Sequence, residues 1–158
     1  MREELLFDNR LRIWLPDEFS FMSEIKVKQL YPFLERPQVL FSNADDTRFL
    51  TFSLLEKEFA GSETLPAARE IRRMVWSLYP SSPPTEAVNI PLGEFSCAGV
   101  SFQIPSENGL LFHMLYVASL GKRMLLGTYG CPVADRDGKE LLRNLVAGTE
   151  AVIWEDVT

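Results

Sequence analysis

The stretch Gly109 to Cys131, GLLFHMLYVASLGKRMLLGTYGC, is apolar on both alternating faces for most of its length. One parity holds Leu111, His113, Leu115 and Val117, and the other holds Leu110, Phe112, Met114, Tyr116 and Ala118. Side chains alternate across a strand, so a strand with this pattern must be covered on both faces. The run is broken by His113 and by a turn at Leu120-Gly121-Lys122, which makes it a hairpin and leaves it short of the ~20 apolar residues that a membrane helix needs.

The remaining segments supply candidates for the cover. Leu5-Leu6-Phe7 and Arg10 to Leu15 flank Asp8-Asn9 as a hairpin, with Leu11, Ile13 and Leu15 on one face and Arg10, Arg12 and Trp14 on the other. Ser23 to Tyr31 reads as a short capped helix, and Gln38 to Phe41 with Thr47 to Leu55 as a second hairpin whose apolar face is Leu50, Phe52 and Leu54. From Thr64, with Pro66 in the first turn, Leu65, Ala68, Ile71, Val75, Leu78 and Tyr79 recur at helical spacing up to the loop Pro80 to Pro84. Strands are expected over Ala87 to Ser96, Ala98 to Ile104, Gly109 to Ser119 and Lys122 to Gly130, joined by Pro105 to Asn108 and by Leu120-Gly121. A final helix, opened by an Asp137/Glu140 capping box, carries Leu141, Leu142, Leu145, Val146, Val152 and Ile153, with Gly148 inside it.

Antiparallel hairpins ordinarily leave one face to water, so a two-faced hairpin places the two long amphipathic helices on opposite sides of the sheet. The expectation is an α+β fold, an antiparallel sheet with helices on both faces, or α/β/α sandwich. A chain of 158 residues suffices for a single domain over 1–158. The formal net charge of -6, with acids and bases mixed along the chain, argues against a nucleic-acid footprint. The N-terminus MREELLFDNR carries charges where a signal peptide has its apolar core, so a cytoplasmic location is expected.

Chemistry-bearing residues are few. His113 is the only histidine; drawn with those turns it lies opposite Val100 and Thr128 and reads as an interior residue. One histidine and two distant cysteines do not make a three-ligand zinc site. In the same register Cys97 faces Tyr116 and Cys131 faces Leu110, about 20 Å apart along the sheet at ~3.4 Å per residue, so two free structural thiols are expected. A Cys97–His113 nucleophile pair lacks a third group to orient it. There is no GxGxxG, GxxxxGK[ST], GxSxG or HExxH. No catalytic, cofactor-binding or metal-binding residue is assigned, and no cofactor is expected. The candidate for partner binding is the face of Arg10, Arg12 and Trp14, since Trp and Arg dominate interface hot spots; the alternative is that Trp14 packs beneath a helix with the arginine stems over it.

The element order, with a Phe-His-Met-Leu-Tyr strand running into Met124-Leu125-Leu126-Gly127-Thr128-Tyr129-Gly130-Cys131-Pro132 and a terminal amphipathic helix, resembles the PsbP-like superfamily. That superfamily includes the photosystem II extrinsic protein PsbP, a Ran-binding nuclear import factor and bacterial domains of unknown function, some of them chaperones for type VI secretion effectors. The resemblance implies a non-enzymatic scaffold for protein contacts, an adaptor or effector chaperone with a protein partner, and it carries over no residue's role. From other classes stand a cryptic enzyme, a Cys/His-based hydrolase, and a carrier of a small apolar ligand between sheet and helices.

Overall fold

A computed structural model describes residues 1–30, 36–106 and 109–152. In chain order the elements are β1 (Arg2–Leu6), β2 (Leu11–Leu15), β3 (Ser20–Phe21), α1 (Glu24–Leu30), β4 (Val39–Ser42), β5 (Phe49–Glu58), α2 (Thr64–Leu78), β6 (Val88–Asn89), β7 (Cys97–Ser106), β8 (Gly109–Leu120), β9 (Arg123–Pro132), α3 (Arg136–Ala147) and β10 (Glu150–Ala151). They make a mixed α/β fold with antiparallel sheets: seven strands in the order β3-β4-β5-β9-β8-β7-β6, and three in the order β1-β2-β10. No helix among the described residues is long and apolar enough to cross a membrane.

The hairpin of β8 and β9 is the centre of the large sheet, and its register differs from the expected one. Leu120 pairs with Arg123 across Gly121-Lys122, which adopt φ of +55° and +65°, the left-handed pair of a two-residue hairpin turn whose twist suits the strands. Ser106 pairs with Gly109, so only residues 107 and 108 connect β7 to β8. The β7–β8 connection is therefore two residues shorter than expected, and the β8–β9 turn keeps its length but sits one residue later, so every cross-strand partner moves by two residues. His113 lies opposite Phe102 and Gly130 instead of Val100 and Thr128, Cys97 opposite Ala118 instead of Tyr116, and Cys131 opposite Phe112 instead of Leu110. Both partners shift together, so the parity of each face is unchanged.

Two sets of contacts satisfy the two faces of β8. Tyr116, Ala118, Leu125 and Tyr129 cluster with Leu142, Leu145 and Val146 of α3 and with Leu11, Ile13 and Leu15 of β2. Val117, Ala98 and Met124 cluster with Ala68 of α2, flanked by Leu65 and Ile71. Each of these aliphatic side chains, fully buried, stabilises the fold by about 1.5–3 kcal/mol relative to exposure. On the first of these faces the cover is shared between a helix and a second sheet, which the expectation of helices alone did not contain. Strand glycines mark close approaches: a Cβ at Gly127 would lie 2.1 Å from Tyr116 Cζ, and one at Gly130 would lie 2.6 Å from Phe49 Cζ.

Several boundaries differ from the sequence expectation for identifiable reasons. The first hairpin turns over Phe7 to Arg10, with φ of 57°, 57° and 64° at Phe7, Asp8 and Asn9, so Phe7 and Arg10 belong to the turn and not to strands. Ser23 Oγ accepts from Lys26 N at 3.2 Å and caps α1, as expected, while Tyr31 lies outside the described residues. Of Ala87 to Ser96 only Val88–Asn89 is strand, because Pro91 and the left-handed Gly93 (φ 53°) interrupt it. The cap of α3 is Asp135, whose carboxylate accepts from Gly138 N at 3.0 Å, two residues before the Asp137 expected. The helix ends at Ala147 with Gly148 as its C-cap; Val152 lies beyond it, donating to Arg10 O at 2.9 Å, and Ile153 lies outside the described residues.

Candidate functional site

Arg12 and Trp14 stand on the outer face of the small sheet, where β2 alternation puts them opposite the buried Leu11, Ile13 and Leu15. Arg10 does not share this face, since it sits in the β1–β2 turn and lines, with Asp8, Glu56 and Arg123, a shallow groove of about 420 Å3. Register fixes the neighbours of the other two: Glu3 opposes Trp14, Leu5 opposes Arg12, and Glu150 of β10 opposes Arg12 from the other side. The Arg12 guanidinium lies 2.8 Å from Glu3 Oε2, close enough to pair although poorly aligned for a hydrogen bond, and 3.7 Å from Glu150 Oε2. Trp14 Nε1 donates to Glu150 Oε1 at 2.9 Å.

The indole is therefore held in place, yet 40% of it remains exposed, and so does 40% of Leu5. The arrangement has a chemical character: two apolar side chains flank a charge-paired arginine, on a sheet whose other face is anchored in the core. Glu3 and Glu150 hold the arginine and the indole at fixed positions before anything binds, which lowers the side-chain ordering that association would cost. Neither glutamate was identified from the sequence. Glu3 lies ahead of the hairpin expected from Leu5, because β1 starts at Arg2, and Glu150 follows a helix at a distance of 136 residues from Trp14.

The remaining candidates do not assemble into a reacting group. Antiparallel partners share a face, so Cys97 (opposite Ala118) and Cys131 (opposite Phe112) lie on the Tyr116 face, whereas His113 lies on the Val117 face. The thiols and the imidazole are thus on opposite sides of the sheet. Burial pushes the Cys97 thiol up to about 12 and raises Cys131 as well, which keeps both un-ionised at neutral pH. The two cysteines are free, six residues apart in the β8 register, or about 20 Å at ~3.4 Å per residue.

His113 stands in a row of rings that the sequence did not reveal. Phe102 stacks on it at 5.4 Å, Phe49 lies 5.4 Å away on the other side, and Tyr79 stacks on Phe102 at 6.1 Å. The bare backbone of Gly130, paired with both His113 and Phe49, gives the Phe49 ring its room. Burial pulls the imidazole down to about 4, so it is neutral at pH 7.

No family model matches the sequence, and no curated protein matches it. Solved structures do match in fold. The solution structure of cyanobacterial PsbP (CyanoP) from Synechocystis is 9% identical with a TM-score of 0.64, over 96% of this chain and 92% of that one. The crystal structure of LpqN from Mycobacterium tuberculosis, a protein involved in cell envelope biogenesis, is 12% identical with a TM-score of 0.58, over 90% and 83%. A crystal structure from Bacteroides thetaiotaomicron is 14% identical with a TM-score of 0.62 over 96% of this chain; the chain spans about half, 48%, of that protein. At these identities the likeness is one of architecture, and on that ground the chain has a PsbP-like fold.

Proposed function

We propose that this chain is a non-enzymatic protein-binding domain, an adaptor or effector chaperone, which meets its partner through the outer face of the small sheet. The observation that carries the reading is the exposed Trp14, fixed by Glu150 and set beside Leu5 and Arg12. A rigid, half-exposed indole beside an arginine is the composition of an interface hot spot. The layered architecture supports it by supplying a stiff platform: α2 packs with Val117 and α3 with Tyr116, neighbours that point to opposite faces of β8, so helices lie on both sides of the large sheet in an α/β/α sandwich. The chaperone role rests on the PsbP-like resemblance, and a cytoplasmic setting is supported by two free thiols.

The test is Trp14→Ala measured in two ways. Expected is a melting temperature within a few degrees of wild type, because the indole is not in the core, together with loss of the proteins that the wild-type domain retains from an extract of its source organism. A large fall in melting temperature with unchanged retention overturns the reading.

A further inference from the structure

The β7 strand outruns its neighbour. β6 pairs only with Gly99 and Ala98, and Thr85 extends the cover by one residue: its N–H donates to Ser101 O at 2.9 Å, and its Oγ1 accepts from Ser101 N at 3.0 Å. Alternation then turns the backbone of Gln103 and Pro105 outward, away from β8. The Gln103 N–H and C=O and the Pro105 C=O have no partner among the described residues, and Pro105 has no N–H to offer. This is an open edge three hydrogen bonds long, and an open edge is a template for an added strand. The free edge of β1 is protected by contrast: Arg2 and Glu4 share the buried face of that strand and pair at 2.9 Å, the inward-charge device that discourages strand addition.

Beside the β7 edge lies a groove of about 590 Å3, with Ser81 to Pro83 on one side and Leu110, Phe112 and Lys139 on the other. Leu110 is 46% exposed. The Lys139 ammonium sits 4.3 Å from the centre of the Phe112 ring; among the described residues it has no carboxylate partner and is the one charged side chain lining the groove. Gln103 pairs with Phe112 in the sheet, so a strand residue added opposite Gln103 places its side chain on the face of Phe112 and Lys139.

We infer that the open edge of β7 at Gln103 is a docking site for a short extended peptide with an acidic side chain opposite Gln103, its carboxylate taken by Lys139 and its neighbours two residues away resting on Leu110. The backbone supplies the ladder, Pro105 limits its length, and the lone cation sets the preference for acid over base. This deepens the protein-binding reading and rests on it, but uses a surface separate from Trp14.

The experiment titrates the 15N-labelled protein with an acetylated, amidated Val-Thr-Glu-Thr-Val peptide, whose Glu and two Val side chains share one face of a strand, and with its Val-Thr-Lys-Thr-Val counterpart. Expected is saturable binding of the acidic peptide, with amide shifts at Ser101, Gln103, Leu110 and Lys139 and slowed exchange of the Gln103 N–H. Lys139→Glu weakens the acidic peptide by about tenfold, the size of a 1.4 kcal/mol loss, and Trp14→Ala leaves it unchanged. The proposal is overturned by the absence of saturable shifts at millimolar peptide, by shifts that spare Gln103, by equal affinity for the lysine peptide, or by a Gln103 amide already protected in a concentration-dependent way, which would assign the edge to a second copy of the chain. Failure at Gln103 with Trp14→Ala still losing its partner sinks only this site.

Discussion

His113 illustrates how strongly the environment of one side chain can oppose its charge. The face of Phe102, stacked on His113 at 5.4 Å, attracts a cation by an amount on the order of 1 kcal/mol. Burial opposes it by more, since the imidazole falls from 6.5 to about 4, a net cost of about 3 kcal/mol for the charged form. In the unfolded chain the same group titrates near 6.5. The folded state therefore binds fewer protons between these values, and the stability that the neutral imidazole preserves is whole above pH 6.5 and is lost as pH falls towards 4. The expected outcome is that wild type loses about 2–3 kcal/mol more than His113→Phe between pH 7 and pH 4.5, read from urea midpoints at the two pH values. Parallel losses in the two proteins would remove His113 as the source. The sequence had shown that the only histidine lay on an apolar face, and this held. Its ring neighbours are hidden by a register that differs by two residues on β7 and on β9, which a turn read from composition alone does not fix.

At the level of elements, the join between the β4–β5 turn and α3 shows what a local reading misses. Asp135 caps α3 through Gly138 N, and its carboxylate also receives Arg48 Nε at 2.7 Å and Nη2 at 2.9 Å, a bidentate pair spanning 87 residues. The pair raises Arg48 and holds the Asp135 carboxyl below the usual carboxylate range, so what it contributes is present above about pH 4 and fades as acid protonates Asp135. Both side chains are about a quarter exposed, which screens the pair and places its coupling near 1 kcal/mol. A double-mutant cycle with Arg48→Ala and Asp135→Ala should return that value at pH 7 and shrink as acid protonates Asp135; a coupling below 0.3 kcal/mol at pH 7 would mean that the cap alone matters. Periodicity identified α3 from Leu141, Leu142, Leu145 and Val146, yet placed its start two residues late, because a capping-box pattern can be satisfied in sequence at Asp137 while a carboxylate with a distant arginine wins in space. The α2 stripe was legible for the same reason at Ala68, Ile71 and Val75, whereas Leu78, expected with them, is exposed where the helix ends.

For the whole molecule, the hairpins β1–β2, β4–β5, β7–β8 and β8–β9 are legible in the sequence, whereas β3 and the pairings that meet across the chain are not. The pairing of β5 with β9, and of β10 with β2, joins segments with no shared local signal, and the second of these adds the third strand to the small sheet and brings Glu150 to Trp14. The same long-range closure makes one continuous core: Leu11, Ile13 and Leu15 from the N-terminal hairpin, Phe41 and Phe52, Tyr116 and Tyr129, and Leu142 and Leu145 belong to a single cluster that also contains Cys97 and Cys131. Two thiols embedded in one cluster should become reactive together, through opening of that core, and not separately through local fraying. Each is almost fully buried, and burial keeps the thiol protonated, so neither reacts from the closed state at an appreciable rate. Labelling with a thiol reagent near pH 8 should therefore be slow in native buffer, with Cys97 and Cys131 modified at matching rates, and complete at once in denaturant. The rates should rise in step with destabilising substitutions elsewhere in the cluster, such as Leu142→Ala. Fast native labelling of either cysteine alone would show that the cluster does not open as a unit, and a gain of two protons in intact mass on reduction would show that the thiols are paired.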